Sequence, residues 1–242
     1  TVTLTDNGAC DGTEVFTFQL QNVTGGNSAT AGTPSTFALT LTDNELTSVT
    51  LLTEDFETDG SGTRYTLGYP EGNPASGDLF LRSNDAGMTA AGGLAMAGES
   101  GSFYMEAEDM DLVAPSATNV VDLTGLDIQG VANVTISLLA GARAAANYDN
   151  GGLNTDFLFV ERNVDGGGWV TVGAFRSEAT IGNSNQRIAL DTDLNGVGDG
   201  TQLSATMAPF TFAVGATGSS LDVRIRFRSD ADNEEIAFDL IE

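Results

Sequence analysis

Asp222-Val-Arg-Ile-Arg-Phe-Arg228 alternates strictly between charged and apolar side chains. That period of two sends Val223, Ile225 and Phe227 to one side of an extended chain and Arg224, Arg226 and Arg228 to the other. A helix would scatter both sets around its circumference, so the stretch reads as a β-strand with one buried face. Strand-like runs recur around Phe80, Tyr104, and Val134, Ile136 and Leu138, and again in Trp169-Val-Thr-Val172, Phe210-Thr-Phe-Ala-Val214 and Ile236-Ala-Phe-Asp-Leu-Ile241. Phe157-Leu-Phe-Val160 is apolar at both parities, which predicts a central strand covered on both faces. Turns rich in Gly, Asn, Asp and Ser separate these runs, and Asp165-Gly-Gly-Gly168 reads as a hairpin turn. The Ala/Gly stretch from Ala90 to Ala97 reads as a loop, because Gly92 and Gly93 interrupt it. The expected fold class is all-β, an antiparallel β-sandwich of the jelly-roll kind, entered through a first strand at Val49-Thr-Leu-Leu-Thr53.

The chain has 242 residues, enough to bury a sizeable core. It carries 34 acidic against 9 basic residues, a formal net charge of −25, and it contains neither Lys nor His. Nucleic acid and anionic membrane both call for positive surface, so neither is expected as a partner. The charge suits a protein that meets divalent cations or high salt, or one simply kept soluble. Without His there is no Ser-His-Asp or Cys-His site and no His-based zinc site. Cys10 is the one cysteine, so no internal disulfide forms. No apolar run is long enough to span a bilayer. The sequence opens at Thr1 within a strand-like pattern, so a processed product or a segment of something longer is expected.

Residues 1–44 form a first unit. Thr1-Val-Thr-Leu-Thr5, Glu14-Val-Phe-Thr-Phe-Gln-Leu20 and Thr36-Phe-Ala-Leu-Thr-Leu-Thr42 each alternate, and Leu-Thr-Asp-Asn closes a strand at 4–7 and again at 41–44. Asp11-Gly-Thr-Glu-Val-Phe-Thr-Phe-Gln-Leu20, the Thr24-Gly-Gly turn and Leu41-Thr-Asp-Asn44 resemble the last three strands of a Calx-beta domain. A partial Calx-beta or Ig-like sheet is expected there. Three strands alone leave an edge and an apolar face uncovered, to be met by the rest of the chain or by a neighbouring molecule. Residues 45–53 are the connection and first strand, and residues 54–242 the sandwich.

The sandwich opens on Glu54-Asp-Phe-Glu57, passes through Glu106-Ala-Glu-Asp-Met-Asp111 and closes on Ile236-Ala-Phe-Asp239. These pieces resemble the MAM-like or carbohydrate-binding jelly-roll modules of secreted bacterial surface proteins and hydrolases. The resemblance implies that first and last strands are neighbours and that acids from both ends share a structural calcium.

Two sets of residues are candidates for that ion. Asp191, Asp193, Asn195, Gly196 and Asp199 stand at positions one, three, five, six and nine of an EF-hand-like loop, with Val197 offering its carbonyl at seven. Position twelve is Gln202 instead of a bidentate Glu, and the flanks are not helical. The loop therefore looks closer to the calcium loops of thrombospondin type 3 or dockerin-like repeats; the other reading is a solvated acidic turn. The second set is Glu57, Glu108, Asp109, Asp111 and Asp239, either converging on calcium or separately exposed.

Arg224, Arg226 and Arg228 form either a docking stripe for an acidic partner or cross-strand pairs with acids such as Glu161. Tyr65 and Tyr69, in a Gly/Pro-rich loop, are candidates for sugar stacking, while Trp169 is expected in the core. Paired carboxylates also serve glycosidases, but acids in Asn/Gly-rich loops usually ligate or face water. The function expected is therefore a non-catalytic, secreted calcium-binding adhesive or structural protein, a cell-surface, filament or layer subunit that assembles through β-strand contacts. Its partners would be copies of itself or cell-surface proteins. The alternative is a carbohydrate-binding accessory module of a secreted hydrolase, with a glycan partner.

Overall fold

The computed structural model describes residues 14–19, 21, 26, 32–33, 35–41, 49–75, 77–143, 147–151 and 155–242. The expected strand at 1–5, Cys10, Thr24 of the Thr-Gly-Gly turn and most of the 41–44 closure lie outside them. The chain divides into two units, Thr1–Val49 and Thr50–Glu242.

In the first unit β1 (Glu14–Gln19) pairs antiparallel with β2 (Thr36–Leu41), with Phe16 opposite Leu39 and Phe18 opposite Phe37. The alternation therefore gathers four apolar side chains on one face, and that face is exposed: Phe16 42%, Phe18 40%, Phe37 63% and Leu39 37%.

The second unit is a sandwich. Its elements in order are β3 (Thr66–Leu67), β4 (Gly72–Ala75), β5 (Asp78–Ser83), α1 (Asp85–Ala91), β6 (Tyr104–Glu108), β7 (Thr118–Asp127), β8 (Thr135–Ala142), β9 (Tyr148–Asn150), β10 (Phe157–Val164), β11 (Val170–Ser177), β12 (Asn183–Gln186), β13 (Ile188–Leu190), β14 (Ala208–Ala213), β15 (Ser220–Arg228) and β16 (Ile236–Asp239). One six-stranded sheet runs β13-β11-β10-β15-β7-β3 and the other β14-β8-β16-β6-β5-β4, while β12 and β9 pair apart. Every strand pairing is antiparallel.

The alternation in β15 does what the sequence predicts. Val223, Ile225 and Phe227 are buried between the sheets. There Phe227 meets Phe80 and Phe238 of the other sheet with ring centres 5.1 and 5.3 Å apart. Burying each such side chain contributes about 1.5–3 kcal/mol. In β10, Leu158 and Val160 join this core, while Phe157 and Phe159 are buried on the outer face beneath Arg226 and Arg176. The strand is covered on both sides, as expected.

The start and end of the unit meet: Glu54 and Ile241 exchange two backbone hydrogen bonds of 2.9 Å. Residues 49–53, expected as the first strand, form no strand. Val49 and Leu51 are exposed (70% and 41%), and only Leu52 reaches the core. The loop expected at 90–97 is present from Gly92 onward, but Ala90 and Ala91 close a helix. A seven-residue helix, α1, begins before that stretch, capped by the Asn84 side chain accepting from Gly87 N. It ends at Gly92, whose φ of 107° is the left-handed conformation that closes helices. The Ala/Gly pattern concealed a cap that lay upstream of it. Among the described residues, no helix is long and apolar enough to cross a membrane.

Candidate cation-binding site

In the antiparallel register Leu79 of β5 lies opposite Glu108 of β6, so the next pair outward brings Asp78 beside Asp109 at the sheet's end. A short 3₁₀ turn, Met110–Leu112, then returns Asp111 to the same corner. One carboxylate oxygen from each of Asp78, Asp109 and Asp111 lies within 4.8 Å of the others. Asp109 takes a left-handed conformation, φ 39°, to make this corner, and Ser229 pins it from both groups: Oγ accepts from Asp109 N at 3.1 Å and the carbonyl from Met110 N at 3.0 Å.

None of the six ion pairs among the described residues involves these acids. Partial burial and the charges of Asp111, Asp78 and Asp232 push Asp109 up to about 6. Burial, with Asp111 and Asp232 beside it, also raises Asp78. Such a cluster of hard oxygens without a cationic side chain fits a divalent ion of the calcium type.

The structure does not gather the whole second set. β6 and β16 run antiparallel, Phe238 opposite Met105 and Ile236 opposite Ala107. Glu108 and Asp239 therefore stand at opposite ends of this ladder. Asp239 and Glu57 instead share the far end. Asp239 Oδ2 accepts from Ser100 N at 2.6 Å, and Glu57 Oε1 from Ser102 N and Phe103 N at 2.6 and 2.7 Å. Burial, reinforced by Glu57 and Asp55, lifts Asp239 to about 7. Glu108 turns to the outer face, where burial and neighbouring Glu235 raise it to about 7. The five thus split between the two ends, Glu57 with Asp239 at one and Asp109 with Asp111 at the other, where Asp78 completes a group of three.

In the loop that follows β13 the oxygens are turned onto the loop's own backbone. Asp191 is buried and accepts from Asn195 N and Gly196 N at 3.0 and 2.8 Å, with Arg176 Nε 3.8 Å away. Asp193 accepts from Asn195, Asn195 Oδ1 from Val197 N, and Asp199 from Thr192 N and Oγ1. Gly196 has φ 99°, and a Cβ on Gly198 would sit 2.4 Å from Arg176 O, so the turn needs both glycines. Gln202 points elsewhere, between Glu178 and Arg187. Asp191, Asp193 and Asp199 do not form a group of the kind found at the Asp109 corner.

The arginine stripe takes the second of its two readings, pairing with acids of its own molecule, and the expectations for Tyr65 and Trp169 are corrected. The arginine stripe is already neutralised within the molecule: Arg224 pairs with Asp122 at 2.7 Å, Arg226 with Glu161 at 2.6 Å and Arg228 with Asp230 at 2.5 Å. It offers no unpaired row of charge to an acidic partner. Tyr65 is 1% exposed, packed edge-on against Phe56, because the Gly60–Tyr65 turn folds it inward; Tyr69 is 40% exposed. Trp169 lies just before β11, half-buried outside the core, with Arg224 4.1 Å above its ring.

The sequence reading missed Asp78 and Asp232. Asp78 opens a strand, and only the register of β5 on β6 brings it to Asp109. Asp232 belongs to a dense acidic run, residues 230–235, whose composition was a usable signal.

No protein-family model matches the chain, and no curated protein matches it. Among solved structures, the K2 cleaved adhesin domain of Lys-gingipain is similar over 78% of this chain and 95% of that one, at 16% identity and TM-score 0.41. The K3 cleaved adhesin domain of Lys-gingipain from Porphyromonas gingivalis w83 has the same coverage and identity, at TM-score 0.40. The CBM22-1 xylan-binding domain of Xyn10C from Paenibacillus barcinonensis covers 79% of this chain and 90% of its own, at 13% identity and TM-score 0.33. Likeness at this level carries no statement about ligand or reaction. The Calx-beta and thrombospondin type 3 resemblances rest on the residues quoted for them alone.

Proposed function

We propose that this chain is a non-catalytic extracellular module of adhesive or structural kind, braced by calcium at the Asp78–Asp109–Asp111 corner. The observation that carries the reading is that corner: three carboxylates from two segments, within 4.8 Å of one another, with no cationic side chain paired to them among the described residues. Calcium takes six to eight oxygens, so backbone carbonyls and water would complete the shell. Conditional bracing of this sort suits a protein that works where calcium is abundant.

The acids most strongly raised, Glu106 and Glu234, are buried within the protein instead of lining an open cleft, which favours a structural role over catalysis. The exposed apolar face of β1 and β2 favours association through the first unit, with a second copy adding its strands.

The test is melting and light scattering in millimolar calcium and again in EDTA. The reading expects a higher melting temperature and a larger mass with calcium, and a smaller melting shift in Asp111→Asn. Melting and mass unmoved by calcium would sink it.

A further inference from the structure

A second group of acids lies at the mouth of the sandwich, and none of them belongs to the corner at Asp109. Asp156 immediately precedes β10 and Asp230 follows β15 by two residues, and these two strands are neighbours with Phe157 opposite Arg228. Glu234 stands two residues before β16, which is a central strand of the opposite sheet. One carboxylate oxygen from each of Asp156, Asp230 and Glu234 lies within 4.8 Å of the others. Unlike the Asp109 corner, this group is almost closed to water: Asp156 is 0% and Glu234 2% exposed.

The partners of these acids do not account for all their oxygens. Asp156 Oδ2 accepts from Asp149 N at 2.5 Å, Glu234 Oε2 from Asp230 N at 3.3 Å, and Asp230 Oδ2 from Arg228 Nη2 at 2.5 Å. Asp156 Oδ1, fully buried, has no hydrogen-bond partner. A buried carboxylate oxygen left unpaired forfeits its hydration without recompense, so it calls for an occupant. Among the described residues, Arg228 is the guanidinium that reaches this group. Its other nitrogens serve the carbonyls of Ser116 and Thr155 at 2.9 and 3.0 Å. One positive charge faces three carboxylates, with the charge of Asp149 close by. The excess is negative and matches a divalent ion.

We propose that Asp156, Asp230 and Glu234 hold a divalent cation of the calcium class, which ties the two sheets together at this end of the sandwich. All ligands are oxygen, and a site this enclosed leaves little room for the waters that magnesium retains. A cation bridging β10 and β15 to β16 closes the sandwich across its core, where neither sheet's hydrogen bonds can reach. The inference stands apart from the Asp109 corner and survives if that corner binds nothing.

Calcium chloride titrated calorimetrically into the EDTA-stripped 242-residue chain tests it, with melting curves in both states. Asp156→Asn and Glu234→Gln are expected to weaken one binding event at least about tenfold and to remove its share of the calcium-induced melting shift. In EDTA both variants should melt at or above the parent temperature, because each removes a charge that burial opposes. Asp111→Asn should retain the event that these two lose. Unchanged calcium binding in Asp156→Asn and Glu234→Gln overturns the proposal, and so does a single event abolished only by Asp111→Asn. If Asp156→Asn does not fold, Glu234→Gln decides; failure of both to fold in EDTA also overturns it, since the charges would then be stabilising without an ion.

Discussion

Arg226 Nη2 lies 2.6 Å from Glu161 Oε1, and the same guanidinium stands 4.7 Å from the ring centre of Phe159. The two residues sit on neighbouring strands of one sheet, with Glu161 only 5% exposed. Removing the arginine therefore strands a buried carboxylate. Arg226→Ala should cost about 2–3 kcal/mol, lowering the melting temperature by about 5–10 °C in a unit of this size. Arg226→Met combined with Glu161→Leu should recover most of that loss, because it is the orphaned charge that is expensive. Thermal melts of the single and double variants check this; a single variant within about 0.5 kcal/mol of the parent would show the pair to be idle.

Tyr65 and Tyr69 share one loop but lie in opposite environments. Tyr65→Ala should destabilise by about 3–5 kcal/mol, as large aromatic truncations in cores do, whereas Tyr69→Ala should stay within about 0.5 kcal/mol. Denaturant unfolding of both variants measures the contrast. Glycan retention lost on Tyr69→Ala with stability unchanged would instead favour the carbohydrate-binding alternative.

Glu106 is buried on the outer face of β6, hydrogen-bonded by Leu94 N at 3.0 Å, and burial pushes it up to about 9. An acid raised in the folded state favours folding while protonated there. Its contribution is complete below the unfolded value near 4.5 and is lost as pH rises through about 9. Across that window each pH unit changes stability by up to about 1.4 kcal/mol. Melting temperature should therefore fall as pH rises from 5 to 9, by up to about 3–5 °C per unit from this residue. Glu106→Gln should flatten this slope and melt higher than the parent at pH 8. An unchanged slope would contradict the assignment.

Calcium removal separates the corner from the loop. At a free concentration one hundred times Kd, one ion adds about 2.7 kcal/mol, a rise of about 5–10 °C. Asp111→Asn should forfeit that rise. Asp193→Ala, in a loop whose oxygens already hold their own backbone, should keep it. Reversal of those two results would move the ion to the loop at 191–199.

Periodicity alone indicated the all-β class and the faces of the principal strands. Strict alternation in 222–228 requires one buried and one exposed face, and apolar residues at both parities in 157–160 require cover on both sides; each constraint is local, so the sequence carries it. The hairpin at Asp165 followed from its turn residues, and the meeting of the second unit's start and end near Glu54 and Ile241 was what the jelly-roll resemblance implied. What partnered what was not local. Whether Arg224 faced a partner or Asp122, whether Tyr65 lay outside or against Phe56, and whether Asp109 met Asp239 or Asp78 all depended on strand register and sheet order. Register is the sum of many cross-strand contacts between segments distant in sequence, and a shift of one residue sends every side chain to the other face. The sequence could supply the acids; only the pairing of β5 with β6, and of β10 with β15 across from β16, selected which of them stand within reach of one ion.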